Sequence, residues 1–207
     1  RVYAVAMVVM AVLFWFFTYT DPLHEKGAQE NRPRPSLGQQ LMPLIDPRVW
    51  RFGLAYAFVF GGFAIYDVLW RTIGRKSEQI AHALTLAMFV GAPFLACHFL
   101  AGRAAYIHVG ALIGTCMAGN VFLVIVPSQR ELVKKTESGN THDLSLSDRA
   151  KQRSIHNNYF TFPLLFLMVS NHFPLTYTNK YPALMLIFLA TIGALVRHIL
   201  NIRFTFD

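Results

Sequence analysis

Ala104-Ala105-Tyr106-Ile107-His108-Val109-Gly110-Ala111-Leu112-Ile113-Gly114-Thr115-Cys116-Met117-Ala118-Gly119-Asn120-Val121-Phe122-Leu123-Val124-Ile125-Val126 is the stretch on which the fold turns. Its 23 residues contain no Asp, Glu, Lys or Arg. As a helix they reach roughly 35 Å at 1.5 Å per residue, enough to cross the hydrocarbon of a bilayer. Gly110 and Gly114 form a GxxxG pair, and Ala111, Thr115, Ala118 and Gly119 keep the same rod slim. Small side chains let helix backbones approach closely where lipid offers no hydrophobic gradient between helices. His108 and Asn120 are the exceptions to the apolar run. A polar group in hydrocarbon costs on the order of 2–7 kcal/mol unless paired, so both are expected to face the interior of a bundle.

The rest of the chain is built alike. Of 207 residues 54 % are hydrophobic and 14 % charged, with 18 Phe, and the mean hydropathy is +0.38. A soluble domain carries about 25 % charge. The composition excludes collagen, disorder and a disulfide scaffold, and it predicts an all-α, polytopic membrane bundle with five or six spans in a single membrane domain. The spans are read at about 2–19, 49–73, 80–101, 104–126, 156–173 and 181–202. The sequence begins with Arg1 inside an apolar run that no small-residue cleavage site follows, so it reads as a piece of a longer chain rather than a signal peptide. Cys97 and Cys116 lie in apolar runs and read as inert thiols.

The net charge of +8 would suggest nucleic acid on a soluble protein. Here the basic residues sit between apolar runs, where the positive-inside rule and anionic lipid account for them; no nucleic-acid partner is expected. The N-terminus, the turn at 71–78, the connection at 127–155 and the C-terminus together hold twelve Lys and Arg against seven on the other side, which puts the first set in the cytoplasm. Two connections are long. Thr20–Arg48 is rich in proline and extended, and 127–154 is charged, with Ser147 as N-cap and Asp148 opening a helix that runs to Phe173 and bends near Pro163.

That last helix carries the most informative polar run, Arg153-Ser154-Ile155-His156-Asn157-Asn158-Tyr159-Phe160-Thr161-Phe162-Pro163, followed by Ser170-Asn171-His172-Phe173-Pro174. Polar clusters at both ends of a short apolar core point to function, because ionisable groups at membrane depth are expensive. The histidines fall in two layers: His98, His108 and His172 at one level, His82, His156 and His198 at the other. Such layers suggest bis-His haem b, with His108 and His172 preferred and His98, His156 and His198 as alternatives. Two stacked haems are disfavoured, since His82 and His98, like His156 and His172, are 16 residues apart and so on nearly opposite helix faces at 100° per residue. No CxxCH, HExxH, P-loop or GxGxxG occurs.

Taken in order, Gly102-Arg103-Ala104-Ala105-Tyr106-Ile107-His108-Val109-Gly110, Met117-Ala118-Gly119-Asn120-Val121-Phe122, Pro127-Ser128-Gln129-Arg130, Lys151-Gln152-Arg153-Ser154-Ile155-His156-Asn157-Asn158-Tyr159 and Ser170-Asn171-His172-Phe173-Pro174 resemble the membrane domain of the bacterial cytochrome c-linked urate oxidases, integral proteins of the inner membrane. The resemblance covers most of the chain, from Ile45-Asp46-Pro47-Arg48 onward. The family is described with about eight helices and a C-terminal cytochrome c domain; set against that description this sequence is expected to be short of one or two N-terminal helices and of the cytochrome, and the acceptor to be a separate protein or a missing segment.

The resemblance implies hydroxylation of urate with electrons passed to a cytochrome c. That chemistry requires a base, donors for a planar anionic purine and an electron path. His156 or His172 is the candidate base; Asn157, Asn158, Asn171, Asn120 and Gln129 are candidates to read the substrate's amide-like edges; Arg103, Arg130 or Arg153 is the candidate anion site. The competing expectation is a non-catalytic integral subunit of a larger respiratory or photosynthetic complex, binding haem b, quinone or lipid. Lipids and other membrane subunits are expected partners under either reading.

Overall fold

The computed structural model describes residues 36–38, 42–45, 47–100, 102–139 and 144–203. The chain divides into two units, 1–49 and 50–207. The first shows a 3₁₀ turn at Met42–Ile45. The expected span at 2–19 and most of the Thr20–Arg48 connection lie outside the described residues.

Helix α1 (Pro47–Tyr56) opens on a proline, whose missing N–H is no loss in a first turn. It passes through a π-helical turn at Ala57–Gly61 into α2 (Gly62–Thr72), with helical dihedrals at both junctions. Ser77 then caps α3 (Glu78–Phe99) by accepting from the Ile80 amide at 3.5 Å. Gly102, with φ +50°, supplies the left-handed residue that starts α4 (Arg103–Asn120). A second π turn, Val121–Ile125, joins α4 to α5 (Val126–Glu137). The long α6 (Leu144–Ser170), the single turn α7 (Pro174–Tyr177) and α8 (Pro182–Arg203) complete the chain. Among the described residues there is no strand.

Four helical stretches are long and apolar enough to cross a membrane: Gly53–Thr72, Glu78–Phe99, Arg103–Glu137 and Pro182–Ile202. They match four of the six expected spans. The stretch expected at 156–173 lies almost wholly within α6, whose charged and amide-bearing first half keeps it out of that set. The 127–154 connection also differs from expectation. The helix begun at Arg103 continues for 35 residues to Glu137, and α6 begins at Leu144, before Ser147. Pro127 does not stop the first because it follows a π turn, where the ladder is already shifted and the missing N–H is tolerated. Pro163 likewise lies inside a continuous α6.

Close packing follows the small residues. A Cβ placed on Gly110 would lie 2.7 Å from the Met168 methyl, and one on Gly114 would touch Leu164 at 3.9 Å. The GxxxG face therefore meets α6. Gly193 of α8 is tighter still: its Cβ would lie 2.5 Å from the Pro163 nitrogen and 2.9 Å from that residue's Cα. Tyr106, fully buried, donates its hydroxyl to the carbonyls of Thr176 (2.9 Å) and Pro182 (3.3 Å), tying the α6–α8 connection to α4. The core falls into two clusters, one around Tyr66, Trp70, Leu112 and Cys116, the other around Tyr106, Val109, Ile113, Leu167 and Leu186. Outward faces remain apolar, with Phe60, Ile65, Val68, Leu86, Phe94, Leu184, Phe188 and Leu195 exposed. A patch of that extent is what a lipid-facing surface requires and what a soluble monomer avoids.

Candidate functional site

Asp67 is the one charged residue between Gly53 and Trp70. Helix α2 presents it with Tyr66, Trp70 and Arg71, at spacings of one, four and five that share a side of a helix. Helix α6 answers with Arg153, His156 and Asn157 at i, i+3 and i+4, and α4 contributes Asn120 just before the π turn. Asn120 and Arg153 are 1 % and 3 % exposed, so every polar atom there needs a protein partner.

The partners form one directed chain. Arg153 Nη2 donates to Asp67 Oδ1 and Nη1 to Asn120 Oδ1, both at 3.2 Å. Arg71 Nε holds the other Asp67 oxygen at 2.5 Å. Asn120 Nδ2 donates to Tyr66 Oη at 3.0 Å and to Asn157 Oδ1 at 2.8 Å, and Asn157 Nδ2 donates to the Met117 carbonyl at 3.0 Å. Tyr66 Oη lies 2.7 Å from His156 Nδ1. A guanidinium has no acceptor, so the Asn120 oxygen must face Arg153 and its amino group must face Tyr66. With its oxygen occupied as acceptor, Tyr66 gives its proton to His156 Nδ1. His156 is then the tautomer with hydrogen on Nε2, and that nitrogen is buried with no hydrogen-bond partner. The Arg153 guanidinium also lies over the Tyr66 ring, 4.9 Å from its centroid, a cation–π contact that adds to the pair.

Aromatic rings enclose His156. Trp70 is 4.3 Å away centroid to centroid, His82 5.7 Å and Tyr66 6.0 Å. Trp70 is held in place by donating Nε1 to Thr85 Oγ1 at 2.9 Å, and His82 Nδ1 is bonded to the Glu78 carbonyl at 2.7 Å.

Two cavities meet at Trp70, which lines both. One is a polar cleft of about 690 Å³ between α2, α5 and α6. Arg71, Arg75, Arg149 and Arg153 line it, against the acids Glu78, Glu131 and Asp148. The other is an apolar cavity of about 500 Å³ between α3, α6 and α8, floored by α4 and lined by His82 of α3 and His156 of α6.

Of the residues singled out from sequence, Asn120, Arg153, His156 and Asn157 meet in this network. Asn158 is next to them but faces α8, where its Oδ1 accepts from Arg197 Nε at 2.5 Å and from Asn201 Nδ2 at 3.0 Å. Tyr159 Oη pairs with His198 Nδ1 at 2.9 Å on the same side. Gln129 and Arg130 are exposed on α5, and Arg103 is exposed at the start of α4. Asn171 is buried with its amide closed onto the Met168 carbonyl, and His172 is exposed at the end of α6; both stand about 24 Å along the helix from His156 at 1.5 Å per residue.

Tyr66, Asp67 and Trp70 were not singled out from the sequence as site residues. The signal was an acid alone in an apolar span. From sequence, Asp67 beside Trp70 and Arg71 near the end of the second span reads as a residue at the membrane interface, which hid it.

The histidine layers can be tested for a porphyrin. His82 and His156 are the nearest such pair, but Trp70 stands 4.8 Å and 4.3 Å from their rings, where the macrocycle would have to lie, so this pair does not fit. His108 has the orientation a ligand needs: Nδ1 bonds the Ala104 carbonyl at 2.7 Å, which makes Nε2 the acceptor nitrogen. Among the described residues no group of three or more His, Cys, Asp or Glu gathers to hold a metal ion.

A family model described as urate oxidase, N-terminal, matches residues 41–206. The chain belongs to the urate oxidase N-terminal family. The match takes in every residue of the network and both cavities. No curated protein and no solved structure matches the chain.

Proposed function

We propose that this chain is the membrane-embedded oxidoreductase domain of a bacterial urate oxidase, multi-pass in the inner membrane, which hydroxylates urate with water as the oxygen source, releasing two protons and passing two electrons, one at a time, to cytochrome c. Five or six spans form the bundle, α6 counting among them because its polar face is turned inward to Asp67 and Asn120. The observation that carries the reading is the polar cleft: a space of about 690 Å³ lined by four arginines and three acids beside a buried charge-paired network, in a chain of this family.

Urate is a planar anion with alternating carbonyl and N–H edges. Arg149 and Arg75 supply positive charge at the mouth of the cleft, and Arg153, fixed by Asp67, supplies it at the base. Charge-assisted bonds from guanidinium to an anion are the stronger class of hydrogen bond and fix orientation as well as energy. Trp70 offers a flat wall on which a purine stacks. His156 is the proposed proton acceptor, reached through Tyr66: the hydroxyl donates to Nδ1, and the proton it passes on would be replaced by the one leaving the substrate or its attacking water, relayed past Arg153 and Trp70, because Tyr66 is buried and does not itself line the cleft. The positive-inside count puts the cleft on the cytoplasmic side. Haem b, if bound, would be held by His108 together with His172 or His98, and a Soret band in the visible spectrum of the purified protein is its readout.

The test is urate-dependent reduction of added cytochrome c by membranes carrying the chain within its full-length protein. Activity lost in Arg153→Ala and in Tyr66→Phe supports the reading. Activity unchanged in both overturns it. No urate-dependent reduction in the intact protein favours the non-catalytic subunit.

A further inference from the structure

The apolar cavity has no part in holding urate. His156 is 92 % buried by its 8 % exposure, and its Nε2 has no hydrogen-bond partner. A buried donor without an acceptor is costly, and a native interior rarely leaves one without reason. Nδ1 is taken by Tyr66, so the ring has one donor left, and His156 is among the residues that line the cavity.

The remaining walls define what fits. Trp70, His82, Phe89 and Phe160 set aromatic surfaces around one end, and Leu186 and Ala190 continue an aliphatic wall. About 500 Å³ is within the range of sites for small organic ligands and cofactors. Leu86 and Val90 of α3 and Thr191 of α8 line the cavity and are exposed on the outer surface, so the mouth opens sideways between α3 and α8, on the apolar flank. The Thr191 hydroxyl is returned to its own helix at the Ile187 carbonyl, 2.7 Å away, and adds no polar demand at the mouth.

We infer that this cavity is a binding site for a membrane quinone: a flat, neutral ring with a carbonyl oxygen on His156 Nε2 and an aliphatic tail leaving between α3 and α8. An acyl chain alone leaves the donor unmet. A carboxylate or phosphate brings a charge into a cavity whose lining includes no Lys or Arg. A ring carbonyl satisfies the donor without charge, the aromatic walls stack on the ring, and the lateral mouth admits a ligand dissolved in lipid. The inference is independent of urate, because binding is read without substrate.

The experiment titrates the purified full-length protein in nanodiscs with decylubiquinone and follows tryptophan fluorescence, Trp70 being a wall of the site. Saturable quenching is expected, with Kd raised about tenfold in His156→Leu and closer to that of the unaltered protein in His156→Gln, whose amide retains a donor; tenfold corresponds to one hydrogen bond of about 1.4 kcal/mol. Ala190→Phe fills the cavity away from the network and is expected to abolish saturation while leaving the melting temperature of the protein near its starting value. Quenching that does not saturate, or that is the same in Ala190→Phe, overturns the proposal. So does displacement of decylubiquinone by oleate at equal concentration, which would identify a fatty-acid site instead.

Discussion

Arg153 and Asp67 are 86 residues apart in sequence and meet at 3.2 Å with side chains only 4 % and 15 % exposed. Removing one partner of a buried pair strands the other charge, a loss of about 3–5 kcal/mol. Arg153→Ala and Asp67→Ala are therefore each expected to lower stability by that order, and the double substitution by clearly less than their sum. Unfolding in mixed micelles, analysed as a double-mutant cycle, measures the coupling; strict additivity would mean that the two groups do not interact.

Tyr66→Phe removes one oxygen and leaves two groups unpaired, the Asn120 amino hydrogen and His156 Nδ1. A stability loss of about 1–3 kcal/mol is expected from the unmet partners, and urate-dependent cytochrome c reduction should fall at least tenfold at equal expression. His156 without its Tyr66 donor is also free to change tautomer, so the histidine ring signals in a ¹⁵N spectrum should shift from the Nε2–H pattern.

The cleft and the far end of the bundle make opposite predictions. Arg149→Ala should raise KM for urate about ten- to a hundredfold with kcat little changed, since a charge-assisted hydrogen bond is worth about 1.5–3 kcal/mol and Arg149 is at the mouth rather than in the buried network. Arg103→Ala, at the exposed start of α4, should leave both constants unaltered. Steady-state kinetics on the two variants decide between this cleft and a site at the other end.

Two glycines separate packing from propensity. Gly193→Ala sets a methyl against backbone atoms of Pro163 and Phe162 that have no room to yield, and about 1–3 kcal/mol of destabilisation is expected from such overpacking. Gly91→Ala, with nothing within 4 Å of its added Cβ, should be neutral or gain up to about 1 kcal/mol from helix propensity. Thermal unfolding in detergent compares them directly.

The helices were legible because apolar runs and their small-residue faces are local signals. The span ends differ from the structure by a few residues at Gly53, Glu78, Arg103 and Pro182, and the GxxxG pair meets a neighbouring helix as its composition demands. What was not legible was which polar residues converge. Arg153, His156 and Asn157 share a face by spacing alone, but nothing local shows that this face meets Asp67 rather than the Arg197–Asn201 face of α8, which receives Asn158 and Tyr159 instead. Helix α6 divides its polar run between two neighbours, and one-dimensional periodicity does not assign the sides.

The π turn at Val121–Ile125 holds one residue more than an α-helix uses for the same sweep, because its i→i+5 ladder is wider. It works as slack in a cable. Deleting one residue there would restore an unbroken α-helix while Asn120 before it and Ser128 and Glu131 after it kept close to their present sides. The same deletion a turn earlier or later would find no slack and would turn everything beyond it by roughly 100°.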